Sequence, residues 1–350
     1  MLRIYSLGQR EDWDKIVKSF SNYDIYWLSG YVEAFKLHGD GEPLLFFCEE
    51  EEVRGIHVVM KRDVADDPFF AGKLEKRKYF DFSTPYGYGG WLIEGEKTEG
   101  LFRDYARWCQ ESGMISEFVR FHPMIKNMEP CEKFYDVVEL GEVVHMELTS
   151  PEIIWENIVG KNRNMIRKAK KSGVKIYNGR YPEIYEIFQA IYNRTMDKDK
   201  AADYYYFGKK FYESILEDIP WNAQVFYAVK DGTVVSAAIM LTANGRMNYH
   251  LSGSIQEYSS FAPTNLLLYE AALWGYANGY KTLYLGGGVG ARKDGLFKFK
   301  RSFYKRELNK FYIGRKIYDS ETYAMLSHKR FGEMAGAGYG EFFPKYREDK

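Results

Sequence analysis

The chain has 350 residues, 49 Lys+Arg against 49 Asp+Glu, 45% hydrophobic and 17% aromatic. At about 150 residues per domain this predicts two globular domains, and the zero net charge argues against a surface that grips nucleic acid or an anionic membrane all round, though not against a local basic cleft. Three isolated cysteines (Cys48, Cys109, Cys131) make no CxxC pair, which argues against a disulfide scaffold or zinc site and points to a reducing, cytoplasmic compartment. In chain order, MLRIYSLGQREDWDKI carries charges where a signal peptide needs an apolar run. Leu44 to Arg62 reads as two strands joined by a short acidic turn. A helix from Thr98 to Glu111 and a strand from Ile115 to Phe121 follow. Ser150 as cap and Pro151 at the first helical position open a helix to Ile158, and Gly160 to Ser172 continues it until Gly173. Val225 to Gly245 repeats the hairpin pattern with Asp231-Gly232 as its tight turn. Its most apolar stretch, Val234 to Leu241, is too short to span a bilayer. A helix from Pro263 to Asn278, closed by Gly279, and a strand from Thr282 to Leu285 complete the second copy. The pattern therefore predicts two copies of one α/β unit, with chance similarity of two hairpins as the alternative.

Four segments could carry chemistry. Lys161 to Lys175 holds seven basic residues and no acid. Arg163, Arg167 and Lys170 share one helix face, which suits a polyanion or simply water. Tyr284 to Phe303 ends a strand in Gly286-Gly287-Gly288, and ten basic residues against two acids follow between Arg292 and Lys316. The glycines fit neither a Walker loop nor a dinucleotide fingerprint, but with Lys298, Lys300 and Phe303 behind them they could form an anion-binding mouth. Thr264 and Asn265 lie in the first turn of the Pro263 helix, where N–H groups suit phosphate or an oxyanion, or where the helix is merely capped. Tyr204, Tyr205 and Tyr206 could wall a site for sugars, peptides or bases, or pack locally. The histidines do not cluster. His250 could act as a general base, or be a satisfied, half-buried side chain. No HExxH, HxE…CxxC or GxSxG pattern occurs, so metal hydrolysis and serine-hydrolase chemistry are set aside and no metal is expected.

Several pieces together resemble the FemABX family: PYGYGGW (Pro85 to Trp91), EFVRFHP (Glu117 to Pro123), Asn157 to Val174, APTNLLLYEA (Ala262 to Ala271) and LGGGVGARKDGLFKFKRSF (Leu285 to Phe303). The resemblance implies an α/β (α+β) architecture of two tandem GNAT-like domains, each a mixed central sheet flanked by helices. It places them at 1–148 and 149–316, with a tail of about 317–350 packing back on the first through Tyr323, Leu326 and Phe331. The tail reads as a short helix ending in glycines. The resemblance also implies aminoacyl transfer from aminoacyl-tRNA to an amine of a nucleotide- or lipid-linked peptidoglycan precursor, without a tightly bound cofactor. Relatives use acyl-CoA, so an acetyl-CoA-dependent N-acetyltransferase is the alternative donor reading, and a non-catalytic RNA- or precursor-binding protein is the alternative of another class. The family's functional lysine in FKxxF corresponds to Lys300. Lys300, from the resemblance, and His250, from the residues alone, are the expected catalytic residues. Tyr204, Tyr205, Tyr206, Gly286, Gly287, Gly288, Thr264, Asn265 and Phe303 are expected at the substrates, and Lys161, Arg163, Arg167, Lys170 and Lys298 at the donor. The stretch Gln256 to Ala262 lacks the glycines of a coenzyme-A pyrophosphate loop, which favours tRNA. The stretch Asn193 to Asp199 departs from the family's precursor-recognition pattern, which leaves the acceptor open.

Overall fold

The computed structural model describes residues 1–50, 52–332 and 342–348. The first part of the chain runs β1 (Leu2–Tyr5), α1 (Arg10–Ser19), α2 (Ser29–His38), β2 (Glu42–Glu50), β3 (Val53–Asp63), β4 (Phe80–Ser83), β5 (Leu92–Glu94), α3 (Glu99–Glu111), β6 (Met114–Arg120) and β7 (Asp136–Glu147). It continues with α4 (Pro151–Asn157), α5 (Gly160–Lys171), β8 (Lys175–Gly179), α6 (Pro182–Asp199), α7 (Lys209–Asp218), β9 (Ala223–Lys230), β10 (Thr233–Ala243), β11 (Arg246–Ser254), α8 (Pro263–Ala277), β12 (Thr282–Gly286), α9 (Gly295–Arg301), β13 (Asn309–Ile317) and α10 (Ser320–Phe331). Two compact units result, Met1–Leu140 with Phe311–Lys350, and Gly141–Lys310. These limits differ from the expected 148/149 and 316/317 because β7 and β13 are unbroken strands that run through them.

Local chemistry explains the element ends. Asp231 and Gly232 both take positive φ (49° and 78°), as a two-residue primed hairpin turn between β9 and β10 demands. Ser150 Oγ accepts from Ile153 N–H at 3.3 Å and caps α4. Gly279, at φ 81°, follows α8. Gly332, at φ 63°, directly follows α10, whereas Glu51, in the acidic turn between β2 and β3, and Gly336, Gly338 and Gly340 lie outside the described residues.

In the first unit the strands run β1-β2-β3-β4-β6-β13, with β5 on β3. All neighbours are antiparallel except β4 and β6, which α3 connects. In the second unit the strands run β8-β9-β10-β11-β12-β7. Again all are antiparallel except β11 and β12, which α8 connects. The two sheets therefore share one strand order and one parallel crossover. The hairpins β2–β3 and β9–β10 hold equivalent places in them.

A buried carboxylate organises the first core. Glu117 meets His57 Nε2 at 2.5 Å and accepts from Tyr105 Oη (3.1 Å), Tyr135 Oη (3.1 Å) and Tyr318 Oη (2.6 Å). Fully buried carboxyl oxygens persist only with partners of this kind. Tyr323 and Leu326 of α10 pack with Val64, Phe70, Ile115, Phe343 and Tyr346 in this unit. Phe331 is half-buried, with the Lys345 ammonium 4.7 Å from its ring. The second core gathers residues of β7 to β12 with α4, α5, α8 and α9 around Leu267, Leu283 and Phe303. The three cysteines are buried, free thiols. Among the described residues, no helix is long and apolar enough to cross a membrane.

Candidate active site in the second unit

Both crossovers put two parallel strands side by side, and what happens beyond the paired stretch decides where a ligand can enter. In the second unit β11 and β12 pair only over Arg246–Asn248 and Thr282–Tyr284, although the strands continue to Ser254 and Gly286. Each strand bulges where they part. Along β10 the register skips His250, and along β7 it skips Leu285. A bulge bends its strand, and Gly286 turns the backbone further at φ 84°. The two strands therefore part beyond Asn248 and Tyr284.

The first unit closes the equivalent place. Beyond β4 the segment PYGYGGW stays beside β6: Thr84 N–H donates to Phe118 O (3.0 Å), Arg120 N–H to Thr84 Oγ1 (3.1 Å) and Gly89 N–H to Arg120 O (2.8 Å). Glycines are required for this fit. A Cβ at Gly87 would lie 2.5 Å from the Tyr26 ring, and one at Gly90 2.9 Å from Phe121. In the second unit the pairing of β11 with β12 stops at Asn248 and Tyr284.

Lys300 stands where those two strands part. Asp294 caps α9, its Oδ1 accepting from Phe297 N–H at 2.8 Å, and its Oδ2 accepts from Val289 N–H at 3.0 Å. One carboxylate thereby fastens the glycine loop to the helix. These backbone N–H groups, Phe297's first, hold Asp294 below the usual carboxylate range. Gly288 is obligatory here, since a Cβ would lie 2.0 Å from Arg292 O and 2.4 Å from Asp294 Oδ1. Phe299 and Phe303 pack edge to face at 5.4 Å, and Phe303 is fully buried. From that anchor Lys300 Nζ donates to Gly287 O at 2.8 Å and lies 3.3 Å from where a Gly286 Cβ would be. Its target is thus Gly286-Gly287 rather than Gly288, the end expected from sequence. Burial pushes the ammonium down to about 8, against the opposing charge of Asp294. Asp294 is the residue that sequence reasoning missed. Its signal was an Asp three residues before Phe297 at a helix start.

The other expected residues fall into separate places. His250 occupies the β11 bulge, and burial pushes its pKa down to about 3, so the ring is neutral at physiological pH. Thr264 Oγ1 is 2.9 Å from Ser236 Oγ, and Asn265 Nδ2 donates to Asn162 Oδ1 at 2.8 Å. Both side chains therefore serve the join between α8 and its neighbours. Arg163 and Arg167 share a face as expected, with their guanidinium carbons 5.9 and 5.1 Å from the Trp155 ring, and Lys170 pairs with Glu270 at 2.8 Å. Lys161 and Lys298 are exposed. Tyr204 and Tyr205 contact each other and are exposed, whereas Tyr206 donates to Asp197 at 2.8 Å. Tyr206 is thereby tied to α6, and Phe207 beside it packs on Tyr192 of α6 and Phe211 of α7.

Comparison with known proteins bears on this geometry. Residues 160–305 match the acetyltransferase (GNAT) domain family. That span contains the splay, the glycine loop and Lys300. The crystal structure of FemX superposes with a TM-score of 0.67 over 92% of this chain and 99% of that one, at 14% identity. This chain is FemABX-like in fold. The C-terminal domain of a candidate lysylphosphatidylglycerol synthetase from Agrobacterium fabrum gives 0.55 at 13% identity, covering 95% and 100%. A Bacteroides thetaiotaomicron protein of unknown function gives 0.55 at 12%, covering 90% and 100%. No curated protein matches the sequence. The tandem GNAT-type fold is thereby established, and acyl transfer is the activity class that the domain match supports.

Proposed function

We propose that this FemABX-like chain is a cytoplasmic aminoacyltransferase, moving an aminoacyl group from aminoacyl-tRNA to an amine of a nucleotide- or lipid-linked peptidoglycan precursor. The observation that carries the reading is Lys300, half-buried beyond the last β11–β12 pair and bonded to a single carbonyl, Gly287 O. In the reaction the acceptor amine attacks the ester carbonyl, a C–N bond forms, and the C–O bond to the terminal ribose breaks. The ribose hydroxyl leaves with the proton that the amine sheds. The Lys300 ammonium stabilises the charge that develops on the carbonyl oxygen, and Gly286, with no side chain, leaves the ester room to approach it. His250, with a pKa of about 3, is too weak a base to take a proton from an ammonium and serves as the bulge residue where β11 parts from β12.

The turn before α8 supports tRNA as the donor. Gln256–Phe261 is wound into a 3-10 helix in which Tyr258 N–H bonds Ile255 O and Ala262 N–H bonds Ser259 O. Those two amides are occupied and are withdrawn from a coenzyme-A pyrophosphate. The basic face of α5, with no acid between Lys161 and Lys175, supports the same donor. A second reading, acyl-CoA as donor, is favoured by the acetyltransferase description of the matched domain.

The test is incubation with charged tRNA or acyl-CoA and a panel of muropeptides, with mass spectrometry of the acceptors. Lys300→Ala is expected to lose transfer by about a hundred- to a thousand-fold while acceptor binding survives. Lys298→Ala, two residues earlier on α9 and exposed, loses far less. Wild-type rates in both variants would overturn the mechanism.

A further inference from the structure

β8 is the outermost strand of the second sheet and pairs with β9 alone. Among the described residues, no backbone group of Lys175–Gly179 bonds to any segment other than β9. Alternate amides and carbonyls along its outer side are therefore unpaired, a template for one more strand. Beside this edge lies a hollow of about 350 Å³. Its aliphatic lining is Val174, Ile176 and Leu266, and Lys175 and Tyr177 border it. Tyr177 also stacks on Tyr227 at 5.7 Å, Tyr181 Oη is 2.9 Å from Tyr227 Oη, and the two outer rings remain 45% and 43% exposed. A strand added at an edge sends its side chains alternately to the two faces of the sheet, so every second one can reach the hollow.

Charge along the edge is one-sided. Between Glu156 and Glu183 the chain has eight basic residues and no acid. Glu270, at the hollow, is paired with Lys170 at 2.8 Å, and Asp231, in the turn after β9, with Lys230 at 2.6 Å. Lys175 opens β8 and Arg180 directly follows it, and neither makes an ion pair among the described residues. Arg180 Nη2 donates to Gln224 Oε1 at 3.2 Å, and its guanidinium carbon stands 5.4 Å from the ring of Trp221, which is 78% exposed. The outer strand of the first sheet differs. The one cation of β1, Arg3, is paired with Glu49 at 2.8 Å.

A cation at each end of an open edge decides what can lie along it. A second copy pairing antiparallel through β8 sets Lys175 of one chain beside Arg180 of the other, like charge against like. A polynucleotide neither alternates donor and acceptor at the spacing of a strand nor fills an aliphatic hollow. We propose that β8 takes up an extended segment of another protein, acidic at both ends, as an added strand with apolar side chains over the hollow. The binding goes beyond the transferase reading and is independent of it.

The test uses the full chain and a fluorescein-labelled hexapeptide in which valine and threonine alternate between two terminal glutamates. Anisotropy is expected to show saturable binding at low salt, and amide hydrogen exchange to slow at residues 175–179. Serine in place of both valines weakens binding by about tenfold. Lys175→Ala with Arg180→Ala weakens it by about fivefold, and an unchanged thermal transition checks that the variant folds. Peptides N-methylated at the valines or at the threonines each lack alternate amide donors, and at least one of the two loses binding. Absence of binding overturns the proposal, as does binding that both N-methylated forms retain or that leaves exchange at 175–179 unchanged. Exchange there that slows with protein concentration alone assigns the edge to a second copy, and exchange that slows with a uridine oligomer but not with the peptide assigns it to RNA. Either result overturns it too. No arm requires turnover, so these results stand apart from those of the transfer assay.

Discussion

An ammonium with one carbonyl partner and little water is a cost that the fold carries at Lys300. Burial lowers its pKa from 10.5 to about 8, so between those values the unfolded chain binds more protons than the folded one. Stability of the wild type therefore rises with pH across that window, and below it the charged group opposes folding in full. Lys300→Met keeps the length of the side chain and removes the charge. It is expected to be more stable than wild type at pH 7, by on the order of 1–3 kcal/mol, with the advantage shrinking from pH 8 upward and gone near 10.5. Urea unfolding across that range checks both the sign and the window. A variant that is more stable and inactive marks the position as functional rather than structural. The lysine itself was legible, because FKxxF is a contiguous pattern. Its setting was not, since Gly287 O and the splay are products of pairing between strands.

At the scale of the element, α9 has seven residues and depends on its cap. Asp294→Ala removes both the bond to Phe297 N–H and the bond to Val289 N–H, and is expected to lower the unfolding free energy by about 1–2 kcal/mol. Asp294→Asn keeps the first acceptor and offers an amide NH2 to the second, so its stability lies between. Both substitutions remove a negative charge that raises the Lys300 pKa. If the ammonium is the active form, the alkaline limb of the pH–rate profile moves to lower pH in both variants. A limb that stays in place while stability falls would confine Asp294 to capping. Element ends such as Ser150-Pro151, Asp231-Gly232 and Gly279 were readable because each is a property of two or three consecutive residues. The bulges at His250 and Leu285 were not, because a bulge is a mismatch between a strand and its neighbour and leaves no mark on one strand alone. The motif PYGYGGW was legible as a family trait, and the structure gives it a physical meaning. Its glycines let the chain lie against β6 and Tyr26, and so they seal the first unit's crossover.

Considered as a whole, the chain completes each sheet with a strand from an unexpected part of the sequence. β7 follows β6 in the chain but pairs with β12, Val144 opposite Gly286 and Glu147 opposite Thr282. β13 follows β12 but pairs with β6, Ile313 opposite Arg120. Repeat counting could not reveal this, because the duplicated pattern is the same whichever copy its last strand joins. It has a practical outcome for truncation. A fragment of residues 149–316 lacks the strand that covers β12, and with it the core residues Val144, Met146 and Leu148. Residues 141–310 retain all of them. The shorter-headed fragment is expected to show no cooperative thermal transition and the latter to show one, by calorimetry or circular dichroism. The same arrangement sets a timetable during synthesis. When β6 leaves the ribosome its outer edge has no partner, and the whole Gly141–Lys310 unit must be made before β13 arrives to cover it. The unit encoded second can therefore finish folding first, while the N-terminal half waits with an open strand edge, the feature that most invites mispairing between nascent chains.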